Sequence, residues 1–251
     1  MMHFSRLLIL FTIFSTISCS KSGKDGSFEA EVYFLKGMPK YDASWSLNDY
    51  AFAVEILTSL QIQYPQSLPM KDSKKSGIYF NKLISDDNFS FLEDSISLRK
   101  KATSLLRFST KYDELVGLYY NNLVEQQYYR RELIEIYILG IKLSQNMLDI
   151  GRQIEVSHDT SLDDFKVGLF DVRDSYVNLI ASMIKLTTKS DIYLLSDLKR
   201  LSVFISTSIK KNANWFNPTQ KKTITKVIQK TVIMTSSEQI KNELNKVTNL
   251  L

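Results

Sequence analysis

Leu162, Phe165, Leu169, Val172, Tyr176, Leu179, Met183 and Leu186 recur at alternating intervals of three and four, which predicts a helix with an apolar seam more than three heptads long. A seam of that kind needs a second helix alongside it. Residues 191–211 supply a helical apolar face through Leu194, Leu198, Leu201, Ile205 and Ile209, with Ser190 as a cap, and a turn around Thr188 makes the two helices antiparallel neighbours.

Upstream, residues 86–155 favour helix almost throughout, a run too long for one helix of a compact domain. Breaks are expected near Ser109 and Thr110 and near Asn121 and Asn122. The later part is the most apolar: Tyr129, Leu133, Ile136, Tyr137, Gly140, Leu143, Met147 and Ile154 share a face widened by Ile134, Ile138, Ile141 and Leu148, as in a helix surrounded by others, with Gly140 allowing a close approach. Earlier still, Ser46 followed by Asp49 reads as a capping box opening a helix that Pro65 closes, and residues 78–84 form a short helix after a loop.

Towards the other end, Asn217 and Pro218 fit the cap and first position of a helix. Residues 223–235 are rich in Thr, Val and Ile and read as strand or helix; residues 31–36 are apolar enough for a short strand. Ser236, with Gln239 three residues on, opens a last amphipathic helix through Ile240, Leu244, Val247 and Leu251. No internal repeat is evident, so the expected fold is all-α, a multi-helix antiparallel bundle of about six to seven helices, with an irregular α-solenoid as the alternative.

The first nineteen residues follow another logic. Arg6 precedes an apolar span, residues 7–18, of twelve residues, far short of the roughly 20 needed to cross a bilayer, so it reads as a cleavable export signal. It ends on Thr16, Ile17, Ser18 and Cys19. That tetrad resembles the lipobox of bacterial lipoproteins, with Thr16 where the family usually has Leu or Val. The resemblance implies cleavage before Cys19, acylation of its sulfur, and membrane attachment; Ser20, being other than Asp, resembles the outer-membrane sorting class. The implied organisation is a signal peptide over 1–18, a lipidated terminus and flexible tether over 19–30, and one helical domain over 31–251. Cys19 is the only cysteine, so an acylated chain has no disulfide and no thiolate chemistry.

Charge is distributed unevenly. Residues 20–197 hold 21 basic and 25 acidic side chains, a net −4, whereas residues 198–251 hold 10 and 2, a net +8. The basic end, with Lys221, Lys222, Lys226 and Lys230, suits an acidic envelope component or an envelope protein with an acidic surface. No nucleic-acid motif accompanies it, and nucleic acid is not an expected partner.

Catalytic candidates are sparse. His158 sits in a polar turn beside Asp159 and reads as a solvated residue, and Asp164 and Asp171, two turns apart, are the best carboxylate pair. Acids at a helix start also favour the helix dipole. No cofactor or metal is implied. Tyr128, Tyr129, Arg130 and Arg131 form the densest aromatic and cationic cluster, with Glu135 one turn beyond Arg131. The expectation is a non-enzymatic, lipid-anchored helical interaction protein of the envelope; the alternative is a lipoprotein that binds a small ligand or glycan at the Tyr-Arg cluster.

Overall fold

The computed structural model describes residues 36–64, 68–74, 76–93, 95–126 and 128–251. The export signal, Cys19 and the strand expected over 31–36 lie outside them, except Lys36, which is helical. Among the described residues all regular structure is helical: α1 Leu47–Gln63, α2 Gly77–Leu83, α3 Leu98–Gln126, α4 Arg130–Glu155, α5 Asp163–Val167, α6 Leu169–Leu186, α7 Leu195–Asn212, α8 Pro218–Met234 and α9 Glu238–Thr248. This is the all-α, multi-helix bundle that the periodicity predicts, with nine helices of known bounds among the described residues where about six to seven were expected. Short 3₁₀ turns occupy Asp86–Leu92, Thr160–Leu162 and Ala213–Trp215.

Internal contacts gather these elements into two compact units: residues up to Ile96 with Leu106–Glu132, and Ser97–Leu105 with Leu133–Leu251. In the first, α1 starts at the anticipated capping box. The Ser46 hydroxyl accepts the Asp49 N–H at 3.2 Å, and the Asp49 carboxylate accepts the Ser46 N–H at 2.9 Å. The core is aromatic: Tyr50 stacks on Phe108 at 4.3 Å, Phe108 meets Phe89 at 5.0 Å, and Tyr119 stands edge-on to Phe80 and Tyr129 at 5.7 and 5.3 Å. Trp45 is buried here, its indole N–H donating to the Lys40 carbonyl at 3.0 Å.

Neither break expected within α3 exists. Leu105, Phe108, Tyr112, Leu115 and Tyr119 form one buried stripe running straight through Ser109 and Thr110, and burying it outweighs the weak helix preference of two hydroxyl residues. The Thr110 hydroxyl instead donates to the Leu106 carbonyl at 3.2 Å, one turn back. The helix continues past Asn121 and Asn122, and the chain turns at Tyr128 and Tyr129.

In the second unit the heptad stretch is divided at Gly168. Its N–H bonds the Phe165 carbonyl at 3.1 Å, a tighter pitch that closes α5 before α6 begins. The buried face of α6 is also wider than the seam: Leu169, Tyr176 and Met183 are joined by Val177, Ile180, Ala181 and Ile184, while Val172 and Leu179 are only half-buried. The partner assignment changes accordingly. Helix α6 packs more extensively along α8 than along α7, and α7 more along α9 than along α6, so the next helix in sequence is not the main neighbour of the seam. Burial of Leu198, Leu201, Ile205 and Ile209 on α7 follows the predicted spacing, but α7 starts at Leu195, and neither Ser190 nor Leu194 supplies a side-chain cap.

A polar cluster is enclosed in this unit. The Tyr176 hydroxyl accepts from Asn212 Nδ2 at 3.2 Å and shares a hydrogen bond with Ser208 Oγ, which also accepts from Gln145 Nε2 at 2.8 Å. Burial pushes the Tyr176 phenol up to about 12. Close by, the guanidinium carbons of Arg152 and Arg173 lie 4.7 and 4.3 Å from the ring centre of Trp215. A Cβ on Gly151 would come within 3.1 Å of Leu169 Cδ2, so α6 approaches α4 closely there.

Candidate functional site

The face that stands out is on α8. Asn217 caps this helix, its side chain accepting the Gln220 N–H at 2.9 Å while Gln220 Oε1 accepts the Asn217 N–H at 3.0 Å, and Pro218 takes the first position. That box fixes the rotational phase. Gln220, Ile224, Ile228 and Thr231 point into the unit, with Gln220 Nε2 donating to Asp174 at 2.7 Å, and Lys222, Lys226, Gln229 and Ile233 run along the opposite, exposed side. The strand alternative for residues 223–235 is thereby excluded. The weaker helix preference of Thr, Val and Ile here is offset by the burial of Ile224, Ile228 and Thr231.

Beside that line lies an open groove of about 880 Å³, lined by Lys221, Lys222, Thr225 and Lys226 of α8 together with Phe216 and Leu251. Three of the four lysines singled out in the sequence converge here; Lys230 is exposed one turn further on. Residues 218–234 contain no acidic side chain, and among the described residues no carboxylate pairs with any of the four lysines. Lys221 Nζ donates to the Leu250 carbonyl at 3.3 Å. Helix α9 neutralises its own charges instead, Lys241 with Glu238 at 2.6 Å and Lys246 with Glu243 at 2.5 Å. Its cap is Ser237, one residue later than expected. What the sequence did not reveal is the second wall: Thr248 and Leu251 are brought to α8 only by the packing of α9 against it.

The Tyr-Arg cluster is used differently. Tyr129 is 1 % exposed, and its hydroxyl accepts the Leu68 N–H at 3.0 Å. Tyr119 donates to the Pro69 carbonyl at 2.9 Å, the buried Glu132 accepts the Lys71 N–H at 2.7 Å, and Arg131 pairs with Asp72. Together these hold the loop before α2. Burial raises the Glu132 carboxyl above the ordinary range even though N–H groups bonded to it act in the other direction. Tyr128 is exposed, Arg130 is half-buried, and Glu135 binds Arg200 at 2.6 Å.

The carboxylate pair is not assembled. Asp164 lies on α5 and Asp171 on α6, on either side of Gly168, and both are exposed. His158 is exposed in a turn. Among the described residues no group of three His, Cys, Asp or Glu is placed to hold a metal ion, and no helix is long and apolar enough to cross a membrane. No protein-family model matches this chain, and no curated protein or solved structure is significantly similar to it.

Proposed function

We propose that this chain is a bacterial lipid-anchored protein of the cell envelope, held at the outer membrane through acyl chains on Cys19, and that its helical domain works without catalysis by binding an acidic envelope component at the lysine face of α8. The observation that carries this reading is the convergence of Lys221, Lys222 and Lys226 on one groove, with Lys230 continuing the face and no acidic side chain on the same helix. Unpaired cations on one exposed face attract an anionic partner and set its orientation. Phe216 and Leu251 add apolar surface, so the groove suits a partner with both anionic and apolar parts.

The anchor and the face are tested separately. Labelling cells with a clickable fatty acid should mark the wild-type chain and leave a Cys19→Ala variant unmarked and released from membranes; equal labelling would remove the anchor. Crosslinking in intact envelopes, followed by purification of the lipidated protein, should capture a partner that is lost when Lys221, Lys222, Lys226 and Lys230 are all changed to Glu. Unchanged capture would discard the lysine face as the binding surface.

A further inference from the structure

The exposed side of α8 is not uniformly polar. Lys222, Lys226, Gln229 and Ile233 recur at intervals of four, three and four and so form one line along the outside of the helix, basic at Lys222 and Lys226 and apolar at its end. Ile233 is 84 % exposed and Met234 beside it 62 %, two large apolar side chains left in water at the tip of a helix whose inner face is already packed. Lys230 flanks the same line.

We infer that the occupant of this face is the surface of a bilayer containing anionic phospholipid, with Lys222, Lys226 and Lys230 at the headgroup phosphates and Ile233 and Met234 entering the acyl boundary. The inference rests on the anionic-partner reading above and names the partner. Two features favour a bilayer over an acidic protein. Lys222, Lys226 and Ile233 share one line of one helix, with Lys230 and Met234 exposed beside it, so one continuous surface, inclined so that the helix end goes deepest, meets all of them. The apolar part is the end of that line rather than its middle. A bilayer gives charge and hydrocarbon in that order with depth, whereas a protein interface has its apolar part at the centre and its charges at the rim. Each lysine near an anionic surface strengthens attachment roughly five-fold, and the attraction decays within a Debye length.

The test reads the tip itself. In the full chain carrying Cys19→Ser, an Ile233→Cys change provides the one thiol, which is labelled with an environment-sensitive nitrobenzoxadiazole dye. Added phosphatidylcholine vesicles with one quarter phosphatidylglycerol should shift the emission to the blue and raise it at least two-fold, and pure phosphatidylcholine vesicles should not. Changing Lys222, Lys226 and Lys230 to Glu in the same chain should abolish the response while the circular dichroism stays helical. An emission that ignores the anionic vesicles, or rises equally on both kinds, overturns the inference. If the dye stays silent while the lysine variant still loses its partner in envelopes, the partner is an acidic protein: the anionic-partner reading stands and the bilayer falls. If neither responds, both fall.

Discussion

The phenolic oxygen of Tyr129 accepts the backbone N–H of Leu68 at 3.0 Å, joining residues 61 apart in sequence. Leu68 is buried, so a Tyr129→Phe protein leaves that N–H without its partner. The expected cost is about 1–3 kcal/mol, measured as a lower urea midpoint with unchanged slope. Equal stability would mean that the hydroxyl is not what holds the loop.

Asp113 is half-buried on α3, and burial first, with Glu114 second, pushes its carboxyl up to about 6. The folded protein therefore binds this proton more tightly than the unfolded chain does. The resulting stability is complete below the ordinary aspartate range and is lost as the pH rises through about 6. An Asp113→Asn protein should match the wild type near pH 3 and exceed it by about 2 kcal/mol at pH 7.5. Parallel melting curves at both pH values would contradict the raised carboxyl.

The Tyr50 hydroxyl is buried and has no hydrogen-bond partner among the described residues, although its ring stacks on Phe108 at 4.3 Å. Tyr50→Phe keeps the stack and removes the orphaned group, so thermal stability should hold or rise by about 1 kcal/mol. A loss of more than that would reveal a partner for the hydroxyl.

Two glycines should respond in opposite directions to the same change. At Gly77 an added Cβ would sit 2.6 Å from the Lys71 carbonyl oxygen, a backbone atom that the Glu132 contact to Lys71 N–H helps to fix, so Gly77→Ala should destabilise by about 1–3 kcal/mol. At Gly117, inside α3, a Cβ meets nothing within 4 Å, and Gly117→Ala should stabilise by about 0.5–1 kcal/mol. Chemical denaturation of the pair checks both signs.

What could be read in advance follows from the range of the forces involved. Ser46 with Asp49, and Asn217 with Pro218, are local devices, and both caps stand where the residues indicate. Ser109 and Thr110 look like a local stop, yet the side chains at 105, 108, 112 and 115 bind the segment into one helix through burial that no short window contains. The pairing of α6 with α8 skips a helix, and the apolar spacing of α6 is the same whichever neighbour it meets. The lysines were visible as a run of charge. Their groove was not, because its other wall comes from Thr248 and Leu251. Tyr129 belongs by composition to an aromatic and cationic cluster, yet its hydroxyl accepts an N–H from a loop 61 residues away in sequence, a contact that has no local signature.

Trp45 belongs to one compact unit and the Trp215 indole flanked by Arg152 and Arg173 to the other, and these are the two tryptophans of the chain. Replacing either with Phe therefore leaves an intrinsic fluorophore whose emission reports on one half alone. Superimposed unfolding curves from the two single-tryptophan proteins would mark a single cooperative transition, and separated curves would give each half its own melting temperature.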